Sequence, residues 1–193
     1  MTDVSLRRER PSSDGRILES ARRLVQRGGA AQVSMGDVAA DAGVSKALIH
    51  YHFADKDSLL AALVERVGAA VLERARASAV ATSPRPLDAH WAWLERELHE
   101  GDIRVLVSLS DCDSVATRTA SRTIANERLR LLARDVDAVF TGLGLLPRMP
   151  SALVAETVLA FADGMACRAA LGAVNDPRGA FDVLWLALLT LTE

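Results

Sequence analysis

From Ile17 to Leu189 the apolar residues of this chain recur three and four apart, and no stretch alternates in the manner of a strand. That period commits the chain to an all-α fold, because a helical pattern read as a strand would put apolar side chains on both faces. Composition agrees. Half of the 193 residues are hydrophobic, enough to bury a real core, yet only 4% are aromatic. A core rich in Ala, Leu and Val suits helices packed on helices. Caps and breakers divide the pattern into about nine helices, near 13–27, 34–43, 46–52, 55–80, 87–99, 102–110, 114–143, 151–171 and 178–191. Ser13 or Asp14, Ser34, Ser45 and Asp55 stand at helix starts, with Asp37 three residues after Ser34 in near-capping-box spacing. Gly28-Gly29 and Gly43 stop helices, and Thr82-Ser83-Pro84-Arg85-Pro86 is the clearest break. Asp111 and Asp113 are expected to cap the helix that follows them. The division of the chain is a head over residues 1–56 and a body over 57–193.

Several classes lose ground at this stage. The opening residues are polar and include Arg7, Arg8, Glu9 and Arg10, with no apolar run after them, so no targeting signal is expected. No stretch approaches the roughly 20 apolar residues of a spanning helix, so the expected location is cytoplasmic, with no membrane partner. Cys112 and Cys167 are far apart and read as two small hydrophobes, not a disulfide. His90 and His99 lack a partner at helical spacing, so no metal and no cofactor are expected. The patterns GxSxG, HExxH, the phosphate-binding loop and the Gly-rich nucleotide fingerprint are all absent, which argues against an enzyme. The stretch 118–134 reads as a solvated helix face. Net charge is −2, unevenly placed: residues 1–56 carry nine Lys/Arg against seven Asp/Glu, whereas 57–193 carry fourteen against eighteen. A basic head on an acidic body fits nucleic acid at one end.

The head supplies a specific geometry. Two short helical stretches, 34–43 and 46–52, are joined by a turn at Gly43, where a left-handed backbone suits glycine. Ala39 is small where the two helices must cross, and Val38, Ala42, Val44 and Ile49 lock their angle. The outward side of the second helix carries Lys46 and His50 on one face and Ala47 and Tyr51 beside it. Lysine meets guanine edges or phosphate, alanine a thymine methyl, and tyrosine and histidine phosphate oxygens. Ser34 and Lys56 open the flanking helices, where free N–H groups favour phosphate. A plain helical hairpin with a solvated face, serving as a protein-interaction module, and a helical enzyme are the alternatives.

Residues 12–67, above all Ser34-Met35-Gly36-Asp37-Val38-Ala39-Ala40-Asp41-Ala42-Gly43-Val44-Ser45-Lys46-Ala47-Leu48-Ile49-His50-Tyr51-His52-Phe53 with Lys56 and Leu59 in register, resemble the DNA-binding domain of the tetracycline-repressor (TetR) family. His50 stands where that family most often has Tyr, and Ala47 where Gly is frequent, so no operator sequence carries over. The resemblance implies a repressor that binds a palindromic DNA operator as a homodimer and is released by a small molecule held in the body. It implies pairing of the last two long helices, and the residues expected there are Val154, Val158, Ala162, Phe181, Leu184, Trp185 and Leu188. The expected ligand-lining residues are Trp91, Leu94, Leu106, Asp111, Phe140, Phe161 and Met165, with Trp93 beside them.

Overall fold

The computed structural model describes residues 12–192. The polar opening with Arg7, Arg8, Glu9 and Arg10, on which the expectation about targeting rests, lies outside the described residues. Among those described there are nine α-helices: α1 (Ser13–Gly28), α2 (Met35–Ala42), α3 (Lys46–His52), α4 (Lys56–Arg76), α5 (Pro86–Glu100), α6 (Asp102–Ser110), α7 (Val115–Gly142), α8 (Ser151–Ala170) and α9 (Pro177–Leu189). None is long and apolar enough to cross a membrane.

Local chemistry sets most boundaries. Asp55 and Ser58 form a reciprocal capping box at the start of α4, each accepting from the other's backbone N–H. Ser114 caps α7 through the Thr117 N–H. Asp111 and Asp113 were the expected caps there; Asp111 instead ends α6, because the serine directly before the helix reaches the free N–H first. The fourth helix stops at Arg76, short of position 80, and Val80–Thr82 turns as a separate 3-10 segment ahead of the proline-rich break.

The long helices α4 and α7 lie against each other, and α8 flanks α7. Gly68 makes the first of these contacts close, since a Cβ there would overlap the Ile124 side chain. Two main cores result. One joins Ile17, Val38 and Ile49 of the head helices to Leu59 and Leu63 of α4 and Val105, Leu106 and Leu109 of α6. The other gathers Leu94, Val136, Phe140, Val158, Phe181 and Trp185. Packing therefore runs across position 56 without a seam, because α4 and α6 complete the core of the head.

Candidate nucleic-acid interface

The α2–α3 pair is fixed from three sides. At its turn, Gly43 adopts a left-handed conformation with φ 65° and ψ 39°. The Gly43 N–H then reaches the Ala40 carbonyl at 3.2 Å, and the Val44 N–H reaches Ala39 at 3.0 Å. This double closure satisfies two end carbonyls and turns the chain sharply. A Cβ at Gly43 meets nothing within 4 Å, so the backbone angle alone favours glycine there. Ala39 and Val38 are buried at the crossing, as expected, and Ile49 is buried in the same core.

Polar ties to α1 complete the clamp. The Ser20 hydroxyl donates to the Val38 carbonyl at 3.1 Å. Asp41 accepts from Arg23 at 2.6 Å and Arg27 at 3.3 Å, and Arg23 above all holds its carboxyl below the ordinary range. Ser13 and His52 meet at 2.7 Å, joining the start of α1 to the end of α3. Sequence reasoning missed these ties, since their partners are 14 to 39 residues apart.

Both short helices carry side-chain caps. Ser34 accepts from the Asp37 N–H at 3.1 Å and donates its hydroxyl to the Asp37 carboxylate at 2.6 Å. Ser45 accepts from the Leu48 N–H at 3.1 Å. Beyond that cap the exposed side of α3 carries Lys46, Ala47, His50 and Tyr51. Tyr51 is 82% exposed, although large aromatics usually find cover. The four expected reading residues therefore share one surface. Lys56 is placed differently. Its ammonium donates to the Ala31 carbonyl at 3.2 Å and lines a cleft between head and body with Asp57, Asp111 and Asp113.

In the body the expected ligand-lining residues do not converge on one cavity. Leu94 and Phe140 are core, Leu106 belongs to the head-side core, and Asp111 is exposed on the head–body cleft. Trp91 stacks against Phe181 at 5.4 Å, with the Arg178 guanidinium over its ring. Phe161 is half-buried against the second core and Met165 is buried. The residues expected at a dimer contact need a similar correction. Val154, Val158, Ala162, Phe181, Trp185 and Leu188 are buried by the chain's own helices, and Leu184 is half-buried. Helical spacing identifies an apolar stripe but not what covers it, and α8 and α9 each carry two. The second stripe is exposed: Leu153, Ala160, Gly164 and Leu171 on α8 and just past its end, and Val183, Leu186 and Ala187 on α9. The residue whose surroundings sequence reasoning did not foresee is His90, weighed there only as a metal ligand and found buried among rings. Its signal was present, because Trp91 and Trp93 flank it in a chain with three tryptophans.

The two cysteines are free, half-buried thiols, and burial pushes the Cys112 thiol up, away from thiolate reactivity. Among the described residues no group of three His, Cys, Asp or Glu is placed to hold a metal ion.

Residues 17–63 match the family described as bacterial regulatory proteins, tetR family. No curated protein matches the chain in sequence. Similar solved structures cover nearly the whole chain. A TetR transcription regulator from Haloarcula marismortui superposes with a TM-score of 0.75 at 16% identity, over 94% of this chain and 98% of its own. A transcriptional regulator from Rhodococcus sp. Rha1 gives 0.74 at 22%, over 94% and 98%. The regulator FadR from Bacillus subtilis, in complex with stearoyl-CoA, gives 0.69 at 14%, over 91% and 97%. At these identities the likeness is one of fold. Together with the head, whose residues 17–63 match that family in sequence and whose capped, clamped α3 carries the exposed quartet, it gives the assignment: the chain is a DNA-binding transcriptional regulator whose DNA-binding domain is similar to that of the tetR family of bacterial regulatory proteins.

Proposed function

We infer that the chain acts as a homodimeric repressor, held on a palindromic operator by two copies of α3 and released by a small molecule bound in the body. The reading is carried by the exposed quartet Lys46, Ala47, His50 and Tyr51. These side chains lie outside both cores, yet the helix that bears them is capped and tied down. Lys46, His50 and Tyr51 reach base edges or phosphates from the major groove, and Ser34 offers the start of α2 to the backbone. The protein works by binding, not by turnover, and its place is the cytoplasm, where its operator is.

Two reading heads need a two-fold axis. The exposed stripe through Leu153, Ala160, Gly164, Val183, Leu186 and Ala187 is the pairing face. Its residues are apolar and several are small enough to let helices approach, and exposed apolar residues grouped on neighbouring helices are normally covered. Release by a small molecule follows from a body able to bind one; the Bacillus subtilis FadR structure holds stearoyl-CoA, and a ligand acts by favouring one spacing of the heads.

The test is selection of binding sites from random duplexes, with light scattering in parallel. Imperfect palindromes and a dimer mass are expected. Leu186→Glu should give monomers that keep their helical content and lose the palindrome. Recovery of asymmetric single half-sites alone, or a monomer mass for the wild type at micromolar concentration, sinks the reading.

A further inference from the structure

Five buried side-chain nitrogen or oxygen atoms lack a hydrogen-bond partner among the described residues, and four of them sit together. They are Nδ1 and Nε2 of His90 and the indole nitrogens of Trp93 and Trp185. His90 is only 1% exposed. Its ring centroid lies 5.5 Å from Trp185, 5.6 Å from Phe181 and 5.7 Å from Trp93. Burial holds its pKa down at about 4, so at neutral pH it offers one donor and one acceptor. With the two indoles the group presents three N–H donors and one lone pair. Edge-on packing against Phe181 and Trp185 gives an N–H a weak partner and the lone pair none. A phenylalanine at position 90 would pack as well without leaving polar atoms unmet. Packing alone does not account for a histidine here.

The surroundings say how this group is reached. Phe181 and Trp185 also line a cleft of about 520 Å³, together with Pro84, Pro86, Leu143 and Leu189. That volume lies within the range of small-molecule sites. On the other side, Trp93 borders a void of only about 10 Å³, room for no more than a water. The way in is thus through the two rings that His90 touches edge-on. At the mouth, Arg178 is committed to Asp88 and Asp182 and stacked on Trp91 and Phe181. Arg85 is exposed at the rim. Among the described residues the buried end of the site therefore has no free cation, and a carboxylate brought there would be a buried charge without a partner.

We propose that the cleft between α5 and α9 is the effector site, that Phe181 and Trp185 turn aside on binding, and that His90 with the Trp93 and Trp185 indoles recognises a neutral, flat, mainly apolar molecule through a hydrogen-bond-accepting oxygen on one ring. The proposal rests on the reading of the body as a ligand-sensing domain. It also links the site to pairing, because Leu186 lines the cleft and stands on the exposed stripe. A ring wedged beneath α9 pushes on the surface that sets the spacing of the two heads.

Three probes test it on the full chain: 2-acetylnaphthalene, its near-isostere 2-ethylnaphthalene, which lacks the acceptor, and the anion 2-naphthoate. Each is titrated while the imidazole nitrogens of isotope-labelled histidine are followed by NMR. The acetyl compound should bind about tenfold or more tighter than the ethyl compound and shift a His90 nitrogen. His90→Phe should cut that preference severalfold, since only the two indole donors remain, and change the ethyl compound's affinity far less. If the variant does not fold, the acetyl-to-ethyl ratio and the histidine shift in the wild type decide alone. Equal affinities, tighter binding of the naphthoate, a preference undiminished in His90→Phe, or no binding up to the solubility limit overturns the proposal. Duplex selection reports separately on the regulator reading. A chain that selects a palindrome but ignores the acetyl probe loses this inference only, and one that binds the probe but no duplex loses the other.

Discussion

The two cores of this protein are built on different terms. The head-side core is aliphatic apart from Phe53, and its buried hydroxyl, on Ser20, is satisfied by the Val38 carbonyl. The body-side core is where the aromatics collect: Phe140, Phe181 and Trp185 close round His90, and its polar nitrogens go unmet. A close-packed, satisfied core has one good arrangement, which is what a reading helix requires. A core with unmet polar groups has something to gain from rearranging around a guest. The contrast assigns rigidity to one end and response to the other. Between them stands a charged joint. Arg74 of α4 makes a two-pronged contact with Glu97 of α5, at 2.6 and 2.8 Å, and reaches Asp102 of α6 at 2.9 Å. Asp102 also accepts from Arg22 of α1 at 2.6 Å. Its hydrogen bonds to the Glu97 and Asp102 carboxylates outweigh burial and hold the Arg74 guanidinium firmly charged. One network thus touches the head and three body helices.

Breaking that joint should have the largest effect. Glu97 is fully buried and Asp102 nearly so, so Arg74→Ala strands two carboxylates with little but Arg22 to balance them. The expected destabilisation is about 3 kcal/mol, at the low end for a broken buried pair because water reaches the Arg74 side chain. Urea unfolding at neutral pH measures it. Arg74→Lys should fall between, since an ammonium cannot reproduce the two-pronged contact. A loss below about 1 kcal/mol for the alanine variant would mean that the two cores are held together by apolar contact alone.

The contrast also has a pH signature. His90 has its pKa lowered to about 4 by burial, against about 6.5 in an unfolded chain. Above pH 6.5 the imidazole is neutral in both states and contributes no pH dependence. Between 6.5 and 4 the unfolded chain takes up a proton that the folded chain refuses, so stability falls as pH falls. From pH 7.5 to 5 the loss from this one group approaches about 2 kcal/mol. Carboxylates held low in the fold, such as Asp41 and Asp55, act at lower pH still. His90→Phe should therefore flatten the wild-type slope between pH 6.5 and 5. An unchanged slope in that variant would place the acid-sensitive group elsewhere.

What was legible in the sequence follows the range of the interaction. Caps, breakers and the Gly43 turn act within five residues, and they placed α2, α3 and the exposed quartet correctly. Ala39 and Ile49 were readable as crossing residues because helical spacing puts them on one side. The side chains of the body were harder. Phe181 and Trp185 form an apolar stripe whether a neighbouring helix or a second chain covers them, and only tertiary contact with Phe140 and His90 decides. Arg74, Glu97 and Asp102 are polar residues on separate helices, and nothing local announces that they meet. Asp111 and Asp113 show the limit of a local rule, since a better-placed serine took the role.

The smallest change in stability should accompany the sharpest change in function, at the surface of the rigid end. Lys46 is exposed on α3 without a hydrogen-bond partner among the described residues, whereas the Lys56 ammonium donates to the Ala31 carbonyl in the head–body cleft. Lys46→Ala should leave the unfolding midpoint unchanged within error, because it removes no packing. On the selected operator it should cost about 1–3 kcal/mol and relax one base position if the ammonium meets a base edge. If it meets phosphate, the loss is uniform across sequences and the salt slope falls by about one. Lys56→Ala should do less to DNA than Lys46→Ala and more to stability, as it frees a carbonyl between head and body. The measurements are affinities for selected and scrambled duplexes over a salt range, with urea midpoints for both variants. The reverse order, with Lys56 dominating the salt slope and Lys46 silent, would show that the start of α4 turns towards DNA on binding and that the head is less fixed than its satisfied core implies.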